Sequence, residues 1–436
     1  MNKKVFISLA LILGVCVSFA GCGNKGPGSE LIEREEETEF VATPDVDPSS
    51  ELLQKYNSHK ENAPLAFKSN TENSATDFEY SLLDNGVAIT KYIGSGDIVM
   101  IPEKIEGKDV VRITAASFAD SGVRAVYIPD SVCAIERGAF ENCLNLSTLR
   151  VPFIGDGEGE TNGGVIFGAD DTISNGIKVP GSLKMLIIGE GEVEISSNAL
   201  SYFKNLEAVI LPSSVLKIGR FAFNECRSLV YVDFGGAKLI EEYAFLACDS
   251  LIYLDIPDTV MNIRLGAFMQ CDQLKYISLP FVGGSETENR YIGYIFGAES
   301  KAWNNSFVPM TLSYVNIRGA GVPDMAFEGC TNLIDVTLAE GVSFIGERAF
   351  SNCRSMQSVT VADSVESIGA CAFSNCYTLD RVEISSGSRL RSVGIQAFMN
   401  CKTLRSISFP SAVGTLDSGI FLGCDGELTV NGEKIN

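Results

Sequence analysis

Hydrophobic positions recur along most of this chain in units of similar length. Phe223, Phe245 and Phe268 lie 22 and 23 residues apart, and most units read L-x-x-V-x-I-P followed by S-V-x-x-I-G-x-x-A-F-x-x-C. The first half alternates with a period of two, which is typical of a strand, and its Pro ends the strand because Pro has no amide donor. The second half predicts a short extended piece and one helical turn. A fixed period in the low twenties indicates a solenoid of stacked units.

One position per unit, here called the phase residue, is aromatic almost throughout. It is occupied by Phe118, Phe140, Phe223, Phe245, Phe268, Phe327, Phe350, Phe373, Phe398 and Phe421, with Leu200 occupying it once. Phe140 to Leu200 and Phe268 to Phe327 are long intervals, and each holds an extra strand and an excursion, residues 153–180 and 281–309. Ile166-Phe167-Gly168-Ala169 matches Ile295-Phe296-Gly297-Ala298, so we infer that a block of repeats was duplicated with its excursion. We expect about twelve rungs, from Val123 to Leu404.

These motifs resemble the BspA-like class of bacterial leucine-rich-repeat proteins, and the resemblance extends from about Asp77 to the C-terminus. It implies a β-rich repeat solenoid, right-handed and curved, with a parallel sheet on its concave side and short helical turns opposite. It also implies a surface protein that binds other molecules and has no catalytic activity.

The N-terminal residues predict a secretion signal. Lys3 and Lys4 precede an apolar run that is too short to span a bilayer, and residues 1–21 are therefore expected to be a signal peptide. Phe19-Ala20-Gly21-Cys22 resembles the lipobox of bacterial lipoproteins, although position 19 is usually Leu in that family. The resemblance implies lipidation of Cys22 and an extracytoplasmic, surface-exposed protein held at the membrane by acyl chains.

Residues 22–76 predict an acidic, disordered tether, because they contain few aromatics and many acids. Residues 77–436 form the predicted solenoid, with an N-terminal cap over about 77–117. Asn85-Gly86 indicates a hairpin within this cap, which would cover the first repeat. At the other end, Leu428-Thr429-Val430 predicts a closing strand.

Composition narrows the possible functions. The chain has 34 basic and 55 acidic residues, a net charge of -21, which argues against nucleic acid or an anionic membrane surface as a partner. Its single histidine, His59, lies in the predicted tether. The repeats therefore lack a Cys-His couple, a Ser-His-Asp triad and an imidazole ligand, so we expect no enzyme, metal or cofactor. We expect a monomer.

The cysteines follow the repeat. Cys143, Cys226, Cys248, Cys271, Cys330, Cys353, Cys376, Cys401 and Cys424 each lie three residues after a phase residue, whereas Cys133 and Cys371 do not. A shared position predicts buried free thiols that pack as small hydrophobes. A few disulfides between rungs stay open as an alternative, because sequence alone does not fix their geometry.

Residues between the core positions of each strand are expected to face outward from the concave sheet. On four successive rungs the first such position holds tyrosine, and the second holds polar residues: Tyr231, Tyr253, Tyr276 and Tyr314, then Asp233, Asp255, Ser278 and Asn316. Four exposed rings beside hydrogen-bonding groups favour a recognition strip. A purely structural ladder is the equal alternative. Asp233 and Asp255 could also form a glycosidase pair, but an open sheet neither raises a carboxyl pKa nor excludes water.

The second excursion offers another candidate surface, with Trp303 beside Asn304 and Asn305. Simple packing of this loop onto the solenoid is the alternative. The sequence as a whole predicts a surface lipoprotein that binds an extracellular protein through its concave face. A glycan-binding component of a polysaccharide-uptake system is the second hypothesis.

Overall fold

The computed structural model describes residues 67, 71–319, 321–425 and 427–434. The predicted signal peptide, Cys22 and most of the predicted tether lie outside these residues. Within the part described, no helix has the length and apolar character needed to cross a bilayer. The main chain of Asn73 donates to Met100 O at 2.9 Å, and the Asn73 side chain accepts from Met100 N at 2.8 Å. Asn73, which precedes the predicted boundary at residue 77, therefore already contacts the cap.

Short parallel strands form one side of the solenoid, one strand in each rung. They are β3 (Ile98–Met100), β6 (Ala125–Tyr127), β8 (Thr148–Val151), β9 (Met185–Ile188), β11 (Ala208–Ile210), β13 (Tyr231–Asp233), β15 (Tyr253–Asp255), β17 (Tyr276–Leu279), β18 (Tyr314–Ile317), β19 (Asp335–Leu338), β21 (Ser358–Val361), β23 (Arg381–Ile384), β25 (Ser406–Ile407) and β26 (Thr429–Val430). We call their outward surface the concave face. The predicted series of rungs is confirmed and gains a strand at each end, β3 and β26.

Twelve of the fourteen concave strands fall into two six-stranded sheets, and the last two, β25 and β26, belong to a third, three-stranded sheet at the C-terminal end. One six-stranded sheet runs in the order β13-β11-β9-β8-β6-β3 and the other in the order β15-β17-β18-β19-β21-β23. Their boundary lies between β13 and β15, where Phe234-Gly235-Gly236 replaces the usual Ile-Pro end of the strand. A Cβ on Gly235 would lie 2.1 Å from Pro212 O, so this turn requires glycine. The sheet interruption therefore coincides with a local change in the repeat.

The remaining strands form the cap and a second line along the solenoid, except the last, which pairs with the final concave strand. They are β1 (Phe78–Leu83), β2 (Gly86–Tyr92), β4 (Lys104–Ile105), β5 (Lys108–Ile113), β7 (Ala134–Ile135), β10 (Glu194–Ile195), β12 (Lys217–Ile218), β14 (Leu239–Ile240), β16 (Asn262–Ile263), β20 (Phe344–Ile345), β22 (Ser367–Ile368), β24 (Ser392–Val393) and β27 (Glu433–Lys434). The predicted hairpin is β1 and β2, with Asp84 and Asn85 in its loop and Leu83 opposite Gly86. The predicted closing strand is β26, which pairs antiparallel with β27.

Stacked phenylalanine rings run through the core. Phe223 and Phe245 have ring centroids 4.9 Å apart and an interplanar angle of 3°, and Phe350 and Phe373 lie 5.4 Å apart at 7°. Tyr92 of the cap continues the series onto Phe118 at 5.5 Å. The cap therefore covers the first rung with an aromatic ring of its own, as hydrophobic continuity requires.

The two excursions are elongated rungs. The first long rung connects β8 to β9 and contains a 3-10 helix, Gly163–Phe167, and α1, Asn175–Lys178. The second long rung connects β17 to β18 and contains 3-10 helices Ile292–Phe296 and Lys301–Trp303 and α2, Asn304–Phe307. Other 3-10 turns cover Ala75–Asp77, Ser411–Val413 and Ser418–Phe421.

Backbone hydrogen bonds place the long rungs in the stack. Phe140 N donates to Ile166 O at 2.8 Å and Phe268 N donates to Ile295 O at 2.9 Å, as Phe223 N donates to Ala244 O at 2.7 Å in a regular rung. Phe167 and Phe296, both buried, are therefore additional phase residues. The alternative that the excursions simply pack onto the solenoid is confirmed for these segments. The phase residues on either side are far apart in the sequence because each of these turns follows a longer path.

Candidate ligand-binding surfaces

The register of the second concave sheet brings most of the predicted strip together. Tyr253 pairs with Tyr276 across β15 and β17, Tyr276 pairs with Tyr314 across β17 and β18, and Tyr314 pairs with Asp335 on β19. Tyr231 lies in the other sheet, on β13. Three of the four tyrosines are therefore adjacent strand neighbours.

Exposure differs along this strip, and the prediction of four open rings was wrong. Tyr231 is 1% exposed and Tyr253 is 9% exposed, whereas Tyr276 and Tyr314 are half-buried. The rings of Tyr253 and Tyr276 stack 4.3 Å apart at 4°. A bulky ring on a narrow sheet face is covered by its neighbours, so alternation predicted its direction but not its accessibility. Tyr276 and Tyr314 are the rings that a ligand could reach.

Burial also alters the chemistry of Tyr276. It raises the pKa of the Tyr276 phenol above its ordinary value of 10.0, and hydrogen bonds with Tyr253 and Asn316 act in the opposite direction. The phenol therefore stays protonated at neutral pH and remains a hydrogen-bond donor.

Arg318, which the sequence analysis did not single out, connects the polar residues of this surface. Its guanidinium lies 2.7 Å from Asp255 Oδ1 and 3.0 Å from Asp258 Oδ1. It also donates to Ser278 Oγ and to Ile256 O. Burial lowers the pKa of Arg318, but the hydrogen bonds and charges of the two carboxylates raise it by a larger amount. The net shift of the Arg318 pKa is therefore upward. Asp255 was expected to be a hydrogen-bonding partner for a ligand, and it is engaged by Arg318.

The other predicted polar neighbours are also bonded within the chain. Asn316 donates from Nδ2 to Ser278 Oγ at 3.2 Å. Asp233 accepts from Gly235 N at 3.1 Å, as a turn-forming Asp does. Arg318 follows β18 but reaches residues 60 or more positions earlier in the chain, so local pattern could not reveal it. Only the register of the stacked rungs brings these groups together.

The duplicated block supplies an internal comparison for the strip. In the first copy, β6, β8, β9 and β11 carry Ala125, Thr148, Met185 and Ala208 at the same strand position as Tyr253, Tyr276, Tyr314 and Asp335. Each copy forms a parallel sheet with the same order of strands. The scaffold therefore does not require tyrosine at this position.

The second candidate surface lies on the second long rung. Trp303 is 53% exposed, whereas Asn304 is 1% exposed. Asn304 is structural, because its Nδ2 donates to Ala326 O at 3.1 Å and its Oδ1 accepts from Gly293 N at 2.6 Å. Asn305 is exposed and lines a polar pocket together with Lys301. The predicted trio thus divides into one buried anchor and two accessible side chains.

The cysteines in the described residues are free, as predicted. Most thiols in the repeat position donate to the carbonyl of a phase residue one rung earlier, for example Cys353 to Phe327 O at 3.2 Å and Cys376 to Phe350 O at 3.2 Å. Burial raises the pKa of Cys376 to about 12. No group of three or more His, Cys, Asp or Glu side chains is arranged to hold a metal ion within the described ranges.

Comparison with known proteins identifies the repeat. A family model described as the BspA type leucine rich repeat region matches six copies over residues 101–154, 183–290 and 304–430, more than half of the chain. The unmatched stretches 155–182 and 291–303 lie within the two long rungs. No curated protein sequence matches the chain closely enough to count as a relative.

Several solved structures are similar. A leucine-rich repeat protein from Bacteroides ovatus is 23% identical, with 83% of this chain and 99% of that chain covered and a TM-score of 0.32. A leucine rich cell surface protein from Faecalibacterium prausnitzii is 24% identical, with 83% and 88% covered and a TM-score of 0.31. A leucine-rich repeat protein from Eubacterium ventriosum is 16% identical, with 84% and 96% covered and a TM-score of 0.29.

Proposed function

The chain belongs to the BspA-type leucine-rich-repeat family, and from that premise we propose that it is a cell-surface recognition protein that binds an extracellular protein non-covalently on its concave face. The proposed contact surface centres on Tyr276 and Tyr314, with Asn316 and Arg318 at its polar side. Proteins of this repeat type are generally not enzymes, and we assign this chain no catalytic role.

The main support for this proposal is the difference in sequence between the two copies of the duplicated block. The first copy builds its sheet with Ala125, Thr148 and Met185, whereas the second places Tyr253, Tyr276 and Tyr314 at the same positions. A ladder needed only for stability would be needed in both copies. Three tyrosines on adjacent strands of the second copy, two of them partly exposed, fit a contact surface, because tyrosine supplies large amphipathic area at low entropic cost.

The Arg318 network supports a protein ligand. Arg318 holds Asp255, Asp258 and Ser278 in a fixed arrangement beside the rings. A surface whose polar groups are already bonded loses little conformational entropy on binding, which favours affinity. The guanidinium donors and carboxylate acceptors that remain available at the edge of this surface can pair with a protein partner and set its orientation.

A glycan ligand is the second candidate, favoured by the stacked pair of Tyr253 and Tyr276. The edge of such a pair beside bonded Asp and Asn side chains suits a sugar ring. Under this second hypothesis the protein would be the glycan-binding component of a polysaccharide-uptake system at the cell surface.

The N-terminal sequence supports the proposed location. Residues 1–21 have the charge and apolar run of a signal peptide, and Cys22 ends a lipobox-like segment. We propose that acyl chains on Cys22 hold the protein at the membrane and that the tether, residues 22–76, separates the solenoid from the bilayer.

A binding screen tests the function itself. The full chain would be applied to a panel of purified extracellular proteins, including collagen, fibronectin, fibrinogen and laminin, and to a glycan array. Saturable binding to a protein whose footprint, measured by hydrogen exchange, covers β17 and β18 is expected. Binding that protects other surfaces only, or binding to glycans alone, would contradict the first candidate.

A further inference from the structure

A polar pocket lies beside the second long rung. It has a volume of about 540 Å³, and its lining includes Lys301, Asn305, Gly329, Thr331, Arg348 and Arg354. Pockets of this size take small organic ligands, which are usually bound by mainly apolar walls. These walls are polar and charged instead, so a matching ligand carries many polar groups of its own.

The duplicated block shows why the pocket is open. Gly329 N donates to Ser351 O, and Tyr202 N makes the equivalent bond to Asn224 O in the first copy, both at 2.8 Å. The two residues occupy the same left-handed backbone position, with φ of 76° at Gly329 and 64° at Tyr202. In the first copy this position therefore carries a ring, and in the second it carries a hydrogen atom.

The first copy fills the corresponding space. The ammonium group of Lys204 lies over the ring of Tyr202, 5.7 Å from its centroid. Gly176, the counterpart of Asn305, approaches the same ammonium, because a Cβ there would lie 2.9 Å from Lys204 Nζ. A Cβ on Gly329 would meet only the flexible side chain of Asn305, at 3.2 Å. The loss of the Tyr202 ring, together with the shorter Thr331 in the place of Lys204, thus accounts for the opening.

The charge of the second copy has also changed. Lys301 and Arg348 occupy the positions of Thr172 and Phe221. Arg348 donates to Glu328, and Lys301 Nζ donates to Asp324 O at 3.1 Å. These bonds use a minority of the available donors, since guanidinium has five N–H groups and ammonium has three.

The pocket therefore combines a cationic excess with neutral hydrogen-bonding groups. Lys301, Arg348 and Arg354 face a single acid of the lining, Glu328. The chain as a whole has a net charge of -21, so a local positive excess is not a general surface property. An anionic group would be attracted to this pocket and repelled by most of the remaining surface.

We propose that this pocket binds a carboxylate-bearing saccharide of one or two units, such as a uronic or sialic acid. Guanidinium pairs with carboxylate in a planar, bidentate geometry. The amides of Asn305 and Asn352 and the hydroxyl of Thr331 can bond to sugar hydroxyls, and the volume exceeds that of a simple ion. This site is separate from the concave face, so its ligand is independent of the proposed protein partner.

Calorimetry on the full chain tests the proposal with defined probes. Glucuronic acid and N-acetylneuraminic acid are titrated against their methyl esters, glucose and sodium sulfate. At least one acid should bind about tenfold or more tightly than its ester, which corresponds to about 1.4 kcal/mol. Equal binding of acid and ester, sulfate binding as tight as the acids, or no binding at all would overturn it.

Variants locate the binding. Gly329→Tyr, which restores the first-copy residue, should abolish binding and leave the protein folded with a small loss of thermal stability, because Tyr202 adopts the same left-handed backbone conformation. Arg354→Gln should weaken binding about tenfold. Arg227→Gln, at the first-copy counterpart of Arg354, is the matched control and should bind as wild type. If Gly329→Tyr fails to fold, Arg354→Gln decides: affinity equal to that of wild type or of the Arg227→Gln control contradicts the site.

Discussion

At the scale of single residues, one cysteine position shows how the repeat satisfies its backbone. The thiol of Cys401 donates to Phe373 O at 3.3 Å, and that of Cys248 donates to Phe223 O at 3.3 Å. A small side chain that packs as a hydrophobe and still offers a weak donor fits beneath each turn. This explains why cysteine recurs without forming disulfides among the described residues.

These buried thiols predict alkaline destabilisation. Burial raises the pKa of the Cys353 and Cys376 thiols above the ordinary value of 9.0. The stability that these thiols contribute is fully present below pH 9. It is lost as the pH rises above 9, because the thiols then lose their protons in the unfolded chain but keep them in the folded chain. Each such thiol adds a slope of up to about 1.4 kcal/mol per pH unit to the free energy of unfolding above pH 9.

Urea denaturation between pH 7 and pH 10 measures this slope. The double variant Cys353→Ala and Cys376→Ala should have a visibly shallower slope than wild type. Cys133→Ala is the control, because Cys133 is exposed, and its slope should match wild type. A stability that is flat up to pH 10, or equal slopes in all three proteins, would contradict the role of the buried thiols.

At the scale of the element, the stacked phase residues link one rung to the next. Phe350 is fully buried, and its ring lies 5.2 Å from Phe327 and 5.4 Å from Phe373. Phe350→Ala should lower the free energy of unfolding by about 3 to 5 kcal/mol, because it leaves a cavity on both sides. Phe350→Leu should cost clearly less, since Leu200 occupies this position in one natural rung. Chemical denaturation measures both, and a loss below about 1 kcal/mol for Phe350→Ala would refute the stacking account.

The regular element was predictable from sequence, and its interruptions were not. Strand, turn and phase residue recur in every unit, so Phe245 and Val232 could be placed in the core from spacing alone. The long rungs broke that spacing, and Phe167 and Phe296 were not recognised as phase residues. Hydrogen bonds from Phe140 and Phe268 reveal their place.

The candidate site was less predictable than the scaffold for the same reason. Alternation along a strand gives the direction of Tyr231 but not what covers it, and the structure leaves it 1% exposed. Arg318 reaches Asp255 across two strand boundaries. Contacts between rungs depend on register and side-chain length, which a repeat pattern does not encode.

At the scale of the whole molecule, the proposed anchor determines where the solenoid can act. Cys22→Ala should release the protein from the membrane fraction, because lipidation at this residue would be lost. Fractionation followed by immunoblotting measures the change, with Cys16→Ala as the control that keeps the lipobox-like segment. Unchanged membrane retention of Cys22→Ala would contradict lipid anchoring.

The two copies of the duplicated block differ in the side chains that they present on the concave face and at the pocket. The second copy carries Tyr276 and Tyr314 on its concave face and Gly329 and Arg348 at its pocket. The first carries Thr148, Met185, Tyr202 and Phe221 in their places. Because both copies share one scaffold, each substitution in the second has a matched control in the first.

The affinity of the extracellular protein identified by the screen tests the central claim most directly. The full chain would be compared with Tyr276→Ala/Tyr314→Ala and with the matched variant Thr148→Ala/Met185→Ala, all checked by circular dichroism to be folded at the assay temperature. Loss of two aromatic contacts should raise the Kd about 100-fold or more, and the first-copy variant should stay within about twofold of wild type. A tyrosine variant that binds as wild type, or equal losses in both variants, would contradict recognition through this face.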